Sequence, residues 1–248
     1  MLQNLDQCIE TEYKGCRCFS FSAEDHAAVL IVPENYRTDL PFVWRTEFLG
    51  AFDAADRAML EKGYILVYYK ISNLYGSPAA VGRMKRFYDT VTQKFALNAK
   101  TILFGFSRGG LYAVNFAAAF PKLIAALYLD APVLDIRTWP CGVAGYERER
   151  KECLAEYGIE NERSVLPHML ALEKAELLAV QSIPVVIVAG RKDSVVPIEK
   201  NSDPFVRRFR AAGGNILYIE KKDCDHHPHS LEEPGPIVEF LQKFAIGR

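Results

Sequence analysis

Gly105-Phe106-Ser107-Arg108-Gly109 sets a serine two residues from a glycine on either side, the G-x-S-x-G pattern. An apolar run beginning at Thr101 precedes it, and residues 108–121 read as a helix. A strand that turns sharply into a helix crowds the backbone around the serine, so larger side chains two positions away would collide. Such a turn lifts the Ser107 hydroxyl clear of a sheet. It also leaves the Arg108 backbone N–H at a helix N-terminus, where unpaired donors and the helix dipole favour an oxyanion. Serine is a weak nucleophile at neutral pH and needs a base, which in turn needs an orienting acid. Asp193 lies in the loop Gly190–Pro197, after the apolar run 184–188. His226 lies in Asp223-Cys224-Asp225-His226-His227-Pro228-His229, after a strand candidate at 215–220. Ser107, Asp193 and His226 therefore come in the order nucleophile, acid, base, each in a loop that follows a strand.

Other residues compete for these roles. Asp130 also ends a strand candidate, but the loop around Asp193 suits the acid better in order and flanking residues. His227 and His229 are rivals to His226 as the base. Asp223, Asp225, His226, His227 and His229 could together suit a zinc or manganese ion. A metal is set aside because adjacent ligands rarely converge on one ion without a preorganised helix or hairpin, and Pro228 limits the loop. Arg45 and Glu47 are two apart at a strand end and share a face. They read as a structural ion pair or, if Arg45 faces the pocket, as a clamp for a substrate carboxylate or carbonyl. Arg108 points either to substrate or to a structural acid. Tyr75, Tyr112, Trp139 and Tyr146 are candidates to line a pocket for sugars or aromatic acids.

Elements of a particular kind must position these residues. Residues 10–33 read as two or three extended segments, followed by a strand candidate at Pro41–Phe48. Asp53 opens a helix, with Asp56 in capping-box spacing and Gly63 as its stop. Short apolar runs at 64–69, 101–105, 124–129, 184–188 and 215–220 alternate with helices, one of them at 79–96. The chain ends in an amphipathic helix bearing Ile237, Val238, Phe240, Leu241, Phe244 and Ala245. Apolar strands without alternation, separated by helices, predict a mostly parallel α/β sheet covered on both faces, with an antiparallel start at one edge. Residues 134–182 hold no clear strand, and Glu147–Tyr157 reads as a helix stopped by Gly158. That stretch is a candidate cap or lid on one α/β domain spanning 1–248.

Composition removes several classes of function. The 248 residues carry 30 basic and 31 acidic side chains, a net charge of −1, which excludes nucleic acid as the main partner. No apolar stretch approaches the length of a membrane span. The first thirteen residues hold three acids and no Lys or Arg, the reverse of a signal peptide. The six cysteines form no CxxC pair, so thiols in a reducing, cytoplasmic compartment are expected. Oligomeric state is not legible.

Taken together, the elbow, the G-x-x-D-x-x-V-P loop and the histidine loop resemble the α/β-hydrolase superfamily across essentially the whole chain. The nearest in kind are prolyl-oligopeptidase-like and dienelactone-hydrolase-like esterases. Val43-Trp44-Arg45, Asn73–Pro78, Ser107–Leu111, Asp130-Ala131-Pro132 and His226–His229 resemble a group of bacterial hydrolases without a defined substrate. The resemblance implies a serine hydrolase that needs no cofactor. Two features depart from it. Many relatives carry His-Gly-Gly where this chain has Trp44-Arg45-Thr46-Glu47-Phe48, so a backbone N–H near Thr46 or Glu47, Thr46 first, must be the second oxyanion donor. Relatives commonly have glycine before the histidine, where this chain has Asp225. The expected function is hydrolysis of small carboxylic esters, with Ser107, Asp193 and His226 catalytic and Arg45, Tyr75 and Trp139 touching substrate. The alternatives are a peptidase or amidase using the same triad, or a non-catalytic binding relative. At 248 residues the chain carries no propeller-type size filter, which leans towards small esters.

Overall fold

The computed structural model describes residues 1–245. Nine strands form one sheet: β1 (Ile9–Tyr13), β2 (Cys16–Ala23), β3 (His26–Val32), β4 (Phe42–Arg45), β5 (Ile65–Tyr69), β6 (Thr101–Phe106), β7 (Ile124–Asp130), β8 (Val185–Gly190) and β9 (Ile216–Lys221). Their order is β1-β2-β3-β5-β4-β6-β7-β8-β9. The first three strands pair antiparallel and β3 joins β5 antiparallel, whereas every later pairing is parallel. The expected antiparallel edge and parallel body are both present.

Among the described residues seven helices connect and cover the strands: α1 (Ala54–Glu61), α2 (Pro78–Phe95), α3 (Gly109–Ala119), α4 (Glu147–Glu156), α5 (Ala175–Val180), α6 (Ser202–Ala211) and α7 (Gly235–Ala245). Burial on both faces explains the unbroken apolar strands: β6 and β8 are buried at every position. Alternate residues of each strand enter two separate cores. Leu103 and Trp44 pack with α2 and α3, whereas Ile102, Phe104 and Val43 pack with Met59 and Leu60 of α1 and Ile237 and Leu241 of α7. Aromatic contacts knit the first core, with Phe87 stacked on Tyr69 at 4.2 Å and lying 5.2 Å from Trp44. Of the apolar stripe expected on the last helix, Ile237, Val238 and Leu241 are buried and Phe240 and Phe244 are half-buried. The Ala245 side chain lies outside the described residues.

One local reading changes. Asp53 precedes α1 without capping it by a side-chain hydrogen bond, and its carboxylate instead meets Lys14, Tyr13 and Arg57. Asp56 is buried inside the molecule, so its capping-box spacing has a different cause, described below. Between β7 and β8, residues 134–182 contain α4, α5 and short 3₁₀ turns and, as expected, no strand. Gly158 ends the α4 region at φ +65°, a backbone angle that suits glycine.

Candidate active site

The carboxyl ends of β6, β8 and β9 carry three loops to one point. At the end of β6, Ser107 sits at φ +49°, in the left-handed region. Such a conformation costs on the order of 1–3 kcal/mol for a residue with a side chain. It is held by three backbone bonds: Ser107 N–H donates to Asp130 O at 2.9 Å, and Ser107 O accepts from Gly110 and Val133 at 3.0 and 2.9 Å. The elbow needs its first glycine, because a Cβ on Gly105 would lie 2.9 Å from both Ala113 Cβ and Gly109 O. The turn is therefore a packed, fixed mount for the hydroxyl.

Ser107 Oγ lies 3.0 Å from His226 Nε2, and His226 Nδ1 lies 2.8 Å from Asp193 Oδ2. The other oxygen of Asp193 accepts the Val195 and Val196 N–H groups at 3.0 and 2.7 Å. A buried carboxylate is costly unless hydrogen-bonded, and these three donors satisfy it while aiming one oxygen at the ring. With Nδ1 donating to Asp193, Nε2 carries the lone pair that faces the serine.

Asp225 has a definite job. Its carboxylate accepts from Ser194 N–H at 2.8 Å, Ser194 Oγ at 3.0 Å and His226 N–H at 2.7 Å. These bonds clip the histidine loop to the acid loop and hold its side chain below the ordinary aspartate range. The histidine loop also lies directly on the end of β8, where a Cβ on Gly190 would come within 2.3 Å of Asp225 O and 2.5 Å of Cys224 O.

Asp130, the competing acid, holds a histidine of its own. Its Oδ1 is 2.8 Å from His229 Nδ1, and its Oδ2 accepts from Tyr128 Oη at 2.6 Å and Ser230 N–H at 2.8 Å. His227 is exposed and stacks on Phe52 at 5.5 Å. Of the five residues considered for a metal, the three imidazoles come together, their ring centres 4.7–4.9 Å apart. The two carboxylates stay apart, Asp223 with Lys192 and Asp225 with Ser194.

Three sequence expectations are corrected by the geometry. Thr46 cannot offer an oxyanion donor, because its N–H donates to Phe104 O at 3.0 Å and its hydroxyl lies 3.0 Å from both Phe104 O and Gly109 O. The N–H groups of Glu47 and Arg108 take no acceptor among the described residues, and Glu47 N borders Gly109 beside the elbow. Arg45 borders the cavity above Ser107 but is fully buried, its guanidinium committed to protein acceptors rather than arranged as a clamp on substrate. Its guanidinium donates to Glu47 O (2.9 Å), Asp56 Oδ2 (2.5 Å), Phe48 O (3.3 Å) and Ala51 O (2.8 Å), and stacks 3.5 Å over Phe106. Its acid is thus Asp56 from α1, not Glu47, and the group staples the 46–51 loop in place. Tyr75 is buried behind Trp139, its hydroxyl donating to Glu152 of α4 at 2.9 Å, so it steadies the segment that carries the wall.

Arg108 goes to the structural acid. Its Nε is 3.2 Å from Glu47 Oε1, and Ser72 Oγ donates to the other Glu47 oxygen at 2.9 Å. Burial nonetheless pushes the Glu47 carboxyl up, against the lowering effect of Arg108. Above Ser107 opens a cavity of 370 Å³ whose walls include Phe48, Phe52, Trp139, Tyr146, Glu149 and Val195. Trp139, expected from sequence, does line it. Phe48 and Phe52 were missed, and both sit at positive φ (57° and 50°) in the loop stapled by Arg45. No local sequence signal marks such positions in phenylalanine.

No protein-family model matches the chain, and no curated protein matches it in sequence. Solved structures do. Dipeptidyl peptidase 4 of Porphyromonas gingivalis superposes over 94% of this chain and 35% of its own, with TM-score 0.68 and 15% identity. The acylaminoacyl peptidase of Pyrococcus horikoshii superposes over 96% of this chain and 42% of its own, also with TM-score 0.68 and 15% identity. The chain spans less than half the length of either protein, and at this identity the likeness speaks for architecture. In sheet order, helix placement and strand-end loops, the chain has the α/β-hydrolase fold.

Proposed function

We propose that the protein is a serine hydrolase cleaving carboxylic esters of small molecules through an acyl-enzyme. The observation that carries this is the unbroken chain from Asp193 Oδ2 to His226 Nδ1 (2.8 Å) and from His226 Nε2 to Ser107 Oγ (3.0 Å). In this reading Ser107 Oγ attacks the substrate carbonyl while its proton passes to His226 Nε2. Asp193 fixes the ring's tautomer and stabilises the imidazolium that forms. The carbonyl electrons move onto oxygen, where the free N–H groups of Arg108 and Glu47 are placed to receive the charge. Collapse expels the alcohol, which takes the proton from His226. Water then repeats the sequence, with the same histidine as base, and releases the acid.

The aromatic walls and the modest cavity volume suit a small acyl group or a ring, and the stretch 134–182, which supplies Trp139, Tyr146 and Glu149, is proposed as the cap that selects it. The six free cysteines suit a reducing, cytoplasmic setting, and among the described residues no helix is long and apolar enough to cross a membrane. A peptidase reading has one observation in its favour besides the solved peptidases of like fold: Glu149 brings a carboxylate to the cavity, where it could pair with a substrate amino group. A panel of p-nitrophenyl esters from acetyl to feruloyl, sugar acetates and aminoacyl p-nitroanilides, run beside Ser107→Ala, decides between them. Ester turnover lost in Ser107→Ala supports the proposal, preferential anilide turnover moves it to the peptidase, and full ester turnover in Ser107→Ala removes it.

A further inference from the structure

The hydrolase reading uses one of three clustered imidazoles. His226, His227 and His229 each offer a ring nitrogen, and these lie within 4.8 Å of one another. In two of the rings Nδ1 is engaged by a buried carboxylate at 2.8 Å: Asp193 for His226 and Asp130 for His229. That is the arrangement by which carboxylates orient metal-binding histidines, leaving Nε2 as the ligand atom and raising its basicity. The third ring, His227, makes no side-chain hydrogen bond among the described residues and is exposed, so it is free to turn.

We infer that the three histidines form a binding site for a zinc-class divalent cation, shared with the base of the hydrolase. Imidazole nitrogens favour such ions over magnesium or calcium, which prefer oxygen. Zinc–nitrogen bonds of about 2.0–2.1 Å in tetrahedral geometry put ligand nitrogens roughly 3.4 Å apart. A turn of the His227 ring with a small shift of the loop closes the remaining gap. Three protein ligands leave a fourth position for water. The two carboxylates behind the rings supply compensating charge, and the cationic groups of Arg45 and Arg108 are turned to Asp56 and Glu47. Occupancy would take the Nε2 lone pair of His226, the same pair that accepts the Ser107 proton. A bound cation therefore holds the base and switches hydrolysis off. Binding is independent of the esterase reading, whereas the inhibition rests on it.

The two are separable by experiment. Zinc chloride is titrated against a chromophoric chelator in the presence of wild type, Ser107→Ala, His227→Ala and Asp130→Asn. His227→Ala removes an exposed side chain, and circular dichroism checks that each variant is folded. The expected result is one zinc per chain in wild type and in Ser107→Ala. Affinity should fall at least about tenfold in His227→Ala, and on the order of 10–100-fold in Asp130→Asn, which removes the carboxylate that orients His229 while leaving all three rings in place. Zinc should also slow ester turnover by wild type, reversibly on adding EDTA. No zinc uptake by folded wild type, or uptake unchanged in both histidine-cluster variants, overturns the site. Uptake as expected in a protein that hydrolyses no ester leaves the site standing and removes the hydrolase reading instead.

Discussion

Asparagine at position 193 separates what the acid does from the space it fills. In the native site Oδ1 accepts two backbone N–H groups, from Val195 at 3.0 Å and Val196 at 2.7 Å, and Oδ2 faces His226 Nδ1 at 2.8 Å. Two donors on one side oblige the asparagine to keep its carbonyl oxygen there, so its NH₂ group must face the ring. His226 can then pair only by accepting at Nδ1, which places its proton on Nε2, pointing at Ser107 Oγ 3.0 Å away. A ring already protonated at that nitrogen cannot take the serine's proton. The expected loss in kcat is on the order of 10⁴, equivalent to about 5 kcal/mol of transition-state stabilisation. Folding should change little, since the two backbone bonds keep their sense and the bond to His226 survives in reversed sense. Asp130→Asn is the matched change at the neighbouring dyad, equally buried and also 2.8 Å from a histidine, with an expected loss within about tenfold. Steady-state turnover of p-nitrophenyl acetate with active-site titration measures both. Activity of Asp193→Asn within tenfold of wild type, or an equal collapse in Asp130→Asn, would refute the assignment and move the base to His229.

Three further outcomes follow from the same contacts. Gly190→Ala drives a Cβ into the carbonyls of Cys224 and Asp225 at 2.5 and 2.3 Å and must lift the histidine loop. A displacement of about 1 Å costs on the order of 10² in kcat/KM, and unchanged kinetics in a folded protein would contradict it. Arg45→Met leaves Asp56 buried and uncompensated, in a site whose burial already raises its pKa; urea unfolding should show a loss of about 3–5 kcal/mol, and a loss under about 1 kcal/mol would mean that Arg45 is not the staple of the 46–51 loop. Asp225 titrates below its ordinary value in the folded chain, so its contribution is full above the unfolded pKa and is lost as pH falls through the folded one. The melting temperature of Asp225→Ala should accordingly lie below wild type at neutral pH, with the gap narrowing below about pH 4. A gap independent of pH would show that the clip does not act through the carboxylate.

What the sequence made legible, and what it hid, divides along the range of the interactions. The elbow is local: Gly105, Ser107 and Gly109 sit within one turn, and the flanking strand and helix follow from apolar patterning. Asp193 and His226 could be placed beside Ser107 because a parallel sheet delivers each strand-end loop to the same edge. The Thr46 assignment failed on one hydrogen bond, since β4 continues its ladder one residue further and consumes that N–H at Phe104 O, passing the free donor to Glu47. Arg45 could not be placed from its neighbours because its partner Asp56 arrives on α1 through tertiary packing. Likewise, the two-apart spacing of Arg45 and Glu47 suggested a pair, yet each takes an ion from elsewhere. The histidine loop raised a metal reading that was set aside for lack of a preorganised scaffold; the convergence of His226, His227 and His229 depends instead on Asp130 and Asp193, 99 and 33 residues away, pinning alternate rings.

Covalent labelling with a fluorophosphonate tests the central claim most directly, because it needs no knowledge of the substrate. Intact-mass spectrometry and peptide mapping of the wild-type protein should give a single adduct on Ser107. It should be absent in Ser107→Ala and strongly slowed in His226→Ala. A folded wild-type protein that takes no label, or a label that persists unchanged in Ser107→Ala, would contradict the assignment of Ser107 as an activated nucleophile.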